Sequence, residues 1–307
     1  MRITVLAGGP SNEREISLTS GRAIAAALKS AGHHVHLADI EPADLSALEV
    51  PADVVFPALH GEWGESGELQ EVLETHGVAF VGSGSAASRL GMDKVATKRA
   101  WQAAGLPTPP FRLVDAPVIR TAPGPCVVKP VAGGSSIDCF VRKTGAEEPA
   151  DIEGPVSYLL AKYGRCMVEQ LIDGYEMTVG ILFDRALPAI WIDAGEGNWF
   201  DYQQKYSPSG AAHRFDLPPV LTPRDAAELQ EICLEAHRTV GCRDLSRVDV
   251  MIDRAGKPFL LEINTMPGFT GRSLLPDAAR QAGLDFPALC DALVRRAAGR
   301  GEEAVAA

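Results

Sequence analysis

The sequence predicts a mixed fold: a doubly wound α/β unit at the N-terminus, followed by α+β units built on antiparallel sheets. Three observations carry this reading. Residues 1–87 alternate short apolar strands with amphipathic helices, the βαβ rhythm of a mostly parallel sheet. After Leu106-Pro107-Thr108-Pro109-Pro110 the rhythm changes to strands joined by tight turns. Residues 246–264 then read as a β-hairpin, two alternating runs with Gly256 as the turn signal between them.

Taken in order, residues 3–7 form a strand that runs into a glycine turn. Ser11 or Asn12 caps a helix whose Ile16, Ser20, Ala23, Ile24, Ala27 and Leu28 keep helical spacing. Residues 35–39 and 54–59 are strands, Leu69, Val72 and Leu73 mark a helix, and 79–81 add a short strand. Asp93 opens a helix that reaches Gly105. Residues 126–130 and 140–143 pair around a Gly-Ser loop, and 167–171, 178–183 and 189–192 follow as strands with turns at Asp173-Gly174 and Asp184-Arg185. A long loop bearing glycine, proline and serine covers 195–219. Thr222-Pro223 caps a helix carrying Leu229, Ile232, Cys233, Ala236 and Val240, then comes the hairpin, and the C-terminus is helical.

Composition narrows the function classes. The 307 residues, 46% hydrophobic and 22% charged, are those of an ordinary globular protein with a large core. A net charge of -11 argues against binding nucleic acid, although a nucleotide site needs only a few local cations. No apolar run reaches the roughly 18 residues of a membrane span, and the N-terminus reads as a strand and not a signal peptide. The six cysteines form no Cys-x-x-Cys pair, so free thiols in a reducing cytoplasm are expected.

The hairpin is the most informative stretch. Its register sets Asp249 opposite Glu262 and Arg247 opposite Asn264, all on one face. Val248 with Ile263, Val250 with Leu261 and Ile252 with Phe259 form the other face, toward a core. Two carboxylates, an amide oxygen and a guanidinium suit Mg²⁺ and a transferring phosphoryl group, whereas a polar hairpin face taken alone is more often solvated. Lys129-Pro130 leads into Val131-Ala-Gly-Gly-Ser-Ser136, whose amides, hydroxyls and lysine suit phosphate oxygens; a Gly-Ser loop by itself is more often a plain turn. Glu169-Gln170-Leu171-Ile172 ends a strand where backbone groups suit an adenine edge, with Glu176 placed for ribose hydroxyls. His60 ends a strand before Gly61, a cleft position where a lone histidine is still more often structural. Residues 201–206 sit in a loop of lid length. Gly82-Ser-Gly-Ser resembles a dinucleotide fingerprint but lacks an acid at a strand end about 20 residues on; it reads as a tight turn, and no P-loop is present.

In combination these segments resemble the D-alanine–D-alanine ligases of the ATP-grasp superfamily. The resemblance runs in order through Gly8-Gly-Pro-Ser-Asn-Glu-Arg-Glu-Ile-Ser-Leu18, His60-Gly61, Gly91-Met-Asp-Lys94, Lys129-Pro130 with Ser135-Ser136, Glu169, residues 201–206, Arg247-Val-Asp249, Glu262-Ile-Asn-Thr-Met-Pro-Gly268 and Ser273-Leu274. It implies an N-terminal α/β substrate domain (1–92), a central ATP-grasp subdomain (93–175) and a C-terminal subdomain with the metal site and lid (176–307), with ATP between the last two. It implies that Lys94, Lys129, Ser135, Ser136 and Lys205 meet ATP phosphates, that Glu169, Gln170 and Ile172 meet adenine, and that Glu176 meets ribose. Asp249, Glu262 and Asn264 would hold two Mg²⁺ (or Mn²⁺), and Arg247 with the Gly268 N–H would stabilise the oxyanion. Glu13 would take the ammonium of the first D-alanine with His60 nearby, and Ser273, beside Leu274, the carboxylate of the second. Tyr206 would link the lid to Ser135 and Glu13, and a cytoplasmic homodimer acting on small molecules is implied.

The implied reaction activates the first D-alanine as an acyl phosphate before the second amine attacks. Two positions depart from the family pattern: Ser66 stands where aspartate is usual, and Asp138 where glycine is usual, its carboxylate expected to point to solvent. They leave open a nucleotide-binding paralogue without turnover. A D-lactate- or D-serine-using ligase is the nearer alternative, and Tyr206 argues against lactate. An oxidoreductase would rest on the Gly82 turn alone.

Overall fold

The structure is a computed structural model and describes residues 1–117, 119–134, 137–145, 148–193 and 212–306. Its first sheet is parallel, in the order β2-β1-β3, from β1 (Arg2–Ala7), β2 (His34–Asp39) and β3 (Val54–Pro57), with Phe80 adding a bridge to Val55. Helix α1 (Arg14–Ser30) packs Ile24, Ala27 and Leu28 on this sheet. Neither Ser11 nor Asn12 is its N-cap: the helix begins after Glu13, and Ser11 Oγ instead accepts from the Glu13 N–H. Helix α2 (Glu68–Thr75) buries Leu69 and Leu73 on the other side of the sheet. The 82–87 segment turns at Gly82 and then becomes helix α3 (Ser85–Met92), which its glycine and serine content concealed. Asp93 caps α4 (Lys94–Ala103) by accepting from the Ala96 N–H at 2.8 Å.

The second layer is antiparallel in the order β4-β9-β6-β7, from β4 (Phe111–Val114), β6 (Cys126–Pro130), β7 (Phe140–Arg142) and β9 (Cys166–Gln170). The short pair β5 (Thr121–Ala122) and β8 (Ala150–Asp151) lies beside it. Helix α5 (Glu153–Tyr163), which sequence periodicity did not reveal, buries Val156 and Leu159 against Val128 and Val168. The third sheet runs β13-β12-β10-β14-β15, with β11 (Arg185–Ala186) on β10 (Gly174–Leu182). Its other strands are β12 (Ile190–Asp193), β13 (Ala212–Arg214), β14 (Leu245–Asp253) and β15 (Pro258–Asn264). Strand β13 lies inside the segment expected to be loop. Helix Pro223–Val240 covers this sheet and starts with the expected Thr222 cap, as a reciprocal box with Asp225. The C-terminal helices Leu274–Gln281 and Phe286–Ala306 return to the first sheet, where Leu289, Leu293 and Val294 share one core with Ile3, Val5, Phe56 and Leu28.

The hairpin pairs Arg247 with Asn264, Val248 with Ile263 and Asp249 with Glu262, as the alternation requires. Beyond Asp249 the register shifts: Val250 faces Leu260 and Ile252 faces Pro258, not Leu261 and Phe259. A bulge accommodates the extra residue, and its cause is long-range: the Leu260 N–H donates to Pro107 O at 2.9 Å. Leu260 therefore enters the core while Leu261 turns to the polar face.

His237 joins helix Pro223–Val240 to β14 through Ser246 Oγ at 2.7 Å, and burial pushes its imidazole down to about 4. The folded state therefore resists protonation that the unfolded chain accepts near pH 6.5, so this stability is present above that pH and is lost as pH falls toward 4. Urea unfolding at pH 7 and pH 4.5 should show a loss of roughly 2 kcal/mol from this group. In His237→Gln the loss across that window should shrink; an unchanged loss would show that His237 is not its source.

Candidate active site

A cleft of about 960 Å³ lies between the second and third sheets, within the usual range for a nucleotide-sized ligand. Lys94, Lys129, Glu169 and Gln170 reach it from α4, β6 and β9, and Ile172 from the turn after β9. Glu176, Asp249 and Glu262 reach it from β10 and the hairpin. Val127, Met251 and Leu261 give it apolar flanks, and Gly133-Gly134 of the loop after β6 closes one end. The bulge supplies Leu261, and strand alternation supplies Met251.

Its cationic side is organised around one buried carboxylate. Glu169 lies 2.6 Å from Lys129 Nζ and 2.5 Å from Lys98 Nζ. Burial pushes Lys98 down to about 8 against the pull of Glu169. Burial would also lower Lys129, but the negative charges around it, Glu169 and Glu262 foremost, together outweigh it and hold that lysine above its ordinary value. Burial works against the Glu169 carboxylate, and the two lysines nevertheless keep it below the usual range. The Glu169 side chain is thus committed to Lys98 and Lys129. Lys94 Nζ donates to Gly133 O, which ties α4 to the glycine loop, and stands 3.7 Å from Glu262 Oε2.

On the hairpin, Arg247 grips Asp249 with two bonds of 2.8 Å, and Thr178 Oγ1 donates to Asp249 Oδ1 at 2.6 Å. Asn264 Oδ1 accepts from the Met266 N–H at 2.9 Å, bending the chain into the 265–268 turn. The donor set is hard oxygen, which fits Mg²⁺ or Mn²⁺ by type. No cluster of three or more His, Cys, Asp and Glu is arranged for a metal among the described residues, so a cation here depends on these two carboxylates and the amide.

Glu13, His60, Arg247, Asn264, Gly268, Ser273 and Leu274 lie outside the cleft lining, although Arg247 and Asn264 flank Asp249 and Glu262 on the hairpin. Glu13 is nevertheless brought to its edge: a Cβ on Gly134 would stand 4.0 Å from Glu13 Oε2, and one on Gly61 only 3.0 Å. Ser11 Oγ donates to His60 O at 2.5 Å and binds the two segments. The His60 ring is buried between Ser20 Oγ (3.2 Å) and Glu65 Oε1 (3.0 Å), and burial raises the Glu65 carboxyl above its ordinary value. Ser273 Oγ accepts from the Thr270 N–H at 3.0 Å and lies 3.3 Å from where a Gly268 Cβ would be, so those two approach closely. Ser135, Ser136, Lys205 and Tyr206 lie outside the described residues. Lys98, Thr178 and Glu65 were not singled out from sequence; the only local signal was Lys98 one helical turn after Lys94.

Both departures have local explanations. Ser66 Oγ accepts from the Trp63 N–H at 3.1 Å and so supports a turn in which Trp63 has φ 67. Asp138 has φ 57, a left-handed conformation that glycine adopts without strain. Its carboxylate does not point to solvent: it meets Lys162 Nζ (2.8 Å), Tyr163 Oη (2.5 Å) and Tyr158 Oη (3.2 Å) of α5, and these bonds hold it below the usual carboxylate range. Ile137 and Cys139 line the cleft, and Asp138 does not.

Residues 100–295 match the family model described as D-ala D-ala ligase C-terminus, and 40–83 match D-ala D-ala ligase N-terminus. A D-alanine--D-alanine ligase of Gloeobacter violaceus is 40% identical, covering 96% of this chain and 99% of its own. One from Azoarcus is 42% identical over 95% and 96%. Among solved structures, a D-alanine--D-alanine ligase from Bacillus anthracis superposes with a TM-score of 0.83 at 28% identity, covering 99% of both chains. The same organism's enzyme complexed with ATP gives 0.82 at 26%, again over 99% of both.

Alanine at 138 would keep the left-handed strain, roughly 1 kcal/mol, that glycine escapes. Asp138→Ala should therefore melt below Asp138→Gly, and Asp138→Gly should keep its parent's turnover. Equal melting temperatures would refute the strain, and a large loss of turnover in Asp138→Gly would show that the α5 contacts serve the loop.

Proposed function

The chain belongs to the D-alanine–D-alanine ligase family, with its ATP-grasp fold, and from this we propose that it joins two D-alanines with cleavage of ATP to ADP and phosphate, for peptidoglycan precursors. The observation that carries the reading is the pairing of Asp249 with Glu262 in the lining of a cleft that also presents Lys94 and Lys129, with Arg247 and Asn264 paired next to them on the same hairpin.

In this reading Lys94, Lys129 and the glycine loop with Ser135 and Ser136 hold the ATP phosphates. The Glu169–Ile172 backbone takes adenine, and Glu176 the ribose. Asp249, Glu262 and Asn264 hold two Mg²⁺ (or Mn²⁺), which would screen the negative charge of the phosphates. Glu13 takes the ammonium of the first D-alanine. The carboxylate oxygen of that D-alanine attacks the γ-phosphorus, ADP leaves, and a D-alanyl phosphate forms. The amine of the second D-alanine, its carboxylate held at Ser273 beside Leu274, then attacks the acyl carbon and loses a proton, and phosphate departs. Arg247 and the Gly268 N–H are placed to meet the oxyanion of that tetrahedral intermediate. His60, oriented by Glu65 and Ser20, supports the first-substrate side. Lys205 and Tyr206 belong to a lid that keeps water from the acyl phosphate. Division at 92 and 175 into three domains, a homodimer and a cytoplasmic location complete the proposal. Among the described residues no helix is long and apolar enough to cross a membrane.

Phosphate release from Mg·ATP should require D-alanine, and L-alanine, D-lactate or no amino acid should not replace it; the product should have the dipeptide mass. Release without that dependence would overturn the substrate assignment. Glu262→Gln should lower turnover by at least about 100-fold while the protein still folds, and near-normal turnover would break the metal assignment.

A further inference from the structure

Lys98 is fully buried, yet it takes part in none of the steps above. Its ammonium donates to Thr108 Oγ1 at 2.7 Å and Leu260 O at 3.0 Å and pairs as an ion with Glu169 Oε1 at 2.5 Å, so it joins three different segments. Thr108 Oγ1 also donates to Leu260 O at 2.8 Å, and the Leu260 N–H is held by Pro107 O at 2.9 Å. The peptide at the hairpin bulge is thus fixed on both its N–H and its C=O side. That bulge turns Leu261 into the cleft directly after the Val250–Leu260 pair, and it precedes the Glu262–Asp249 pair. Through Glu169, the same ammonium reaches Lys129 on the opposite wall.

We propose that Lys98 is a positioning residue that sets the distance between the two walls of the nucleotide cleft, locking the bulged strand that carries Glu262 to the Glu169–Lys129 pair. A buried ion triad is a poor device for stability alone, because desolvation offsets the Coulomb gain. What this one provides is registry between α4, β9 and β15. Without Lys98, Glu169 has only Lys129 to neutralise it, and Lys129 is drawn away from an incoming phosphate while the bulge loses one of its anchors. The assignment rests on the reading of the cleft as an ATP site.

The test uses the full-length enzyme and measures ATP binding by calorimetry alongside steady-state kinetics and melting. Lys98→Met should weaken ATP binding and raise KM for ATP by about tenfold, leaving KM for D-alanine within about threefold. Thr108→Val keeps Lys98 on Glu169 and loosens only the bulge; its KM for ATP should rise by about threefold. Lys98→Arg should recover part of the affinity, since it restores the charge but not the three-point fit. A folded Lys98→Met with ATP affinity within about twofold of its parent, whatever its melting temperature, would reduce Lys98 to a structural ion pair and overturn the proposal. If Lys98→Met does not fold, an unchanged KM and affinity in Thr108→Val overturns it. Failure of the parent enzyme to release phosphate with D-alanine would instead refute the substrate reading, and the calorimetric comparison would still decide the role of Lys98.

Discussion

The antiparallel pairing of β14 with β15 is the constraint on which the rest of the site depends. Side chains on a strand alternate faces, so a slip of one residue would send Asp249 and Arg247 into the core and Val248 and Val250 into the cleft. The register holds because Val248, Val250, Leu260 and Ile263 are packed beneath helix Pro223–Val240, where Leu229, Cys233 and Val240 leave no room for charge. Burial of one face therefore fixes the chemistry of the other. The bulge lets the two ends of the hairpin obey different demands: carboxylates paired at one end, and an apolar Leu261 delivered to the cleft at the other.

Electrostatics act locally against the global charge. The chain is acidic overall, at -11, yet two lysines share one glutamate beside the cleft, and a third lysine holds the glycine loop. Burial disfavours the Lys98 charge, as its depressed value indicates, and Glu169 offsets part of that cost. On the facing wall Arg247 and Thr178 occupy the Asp249 carboxylate, so a cation entering there would compete with bonds already made. Both walls are thus built of groups whose present partners are one another and whose natural complement is a charged ligand.

The two ends of the chain share a core, and that places the N-terminal groups at the cleft edge. The helix Phe286–Ala306 packs with α1 and β3, while the 265–268 turn rests on Gly82 and Gly91, where a Cβ would collide with Met266 and Thr265. Arg300 reaches across to Asp244 and Phe80 O, and Asp244 also accepts from the Gly82 N–H. Glu13, carried by the turn before α1, then stands near Gly134 because these contacts fix the first sheet against the third.

By itself the sequence determined the features that depend on local periodicity and turn chemistry. These are the βαβ rhythm of the first sheet, the caps at Asp93 and Thr222, the paired strands around Lys129, and the near-end hairpin register that joins Arg247 to Asn264 and Asp249 to Glu262. Those signals survive because alternation and capping are written within a few neighbouring residues. The tertiary structure decided what depends on partners far along the chain. The bulge exists because Pro107 and Lys98 hold Leu260; Glu169 faces lysines because α4 packs across β9; Asp138 turns to α5, a helix whose pattern was too weak to read alone. Burial selects among such long-range pairings, and no short window of sequence contains both partners.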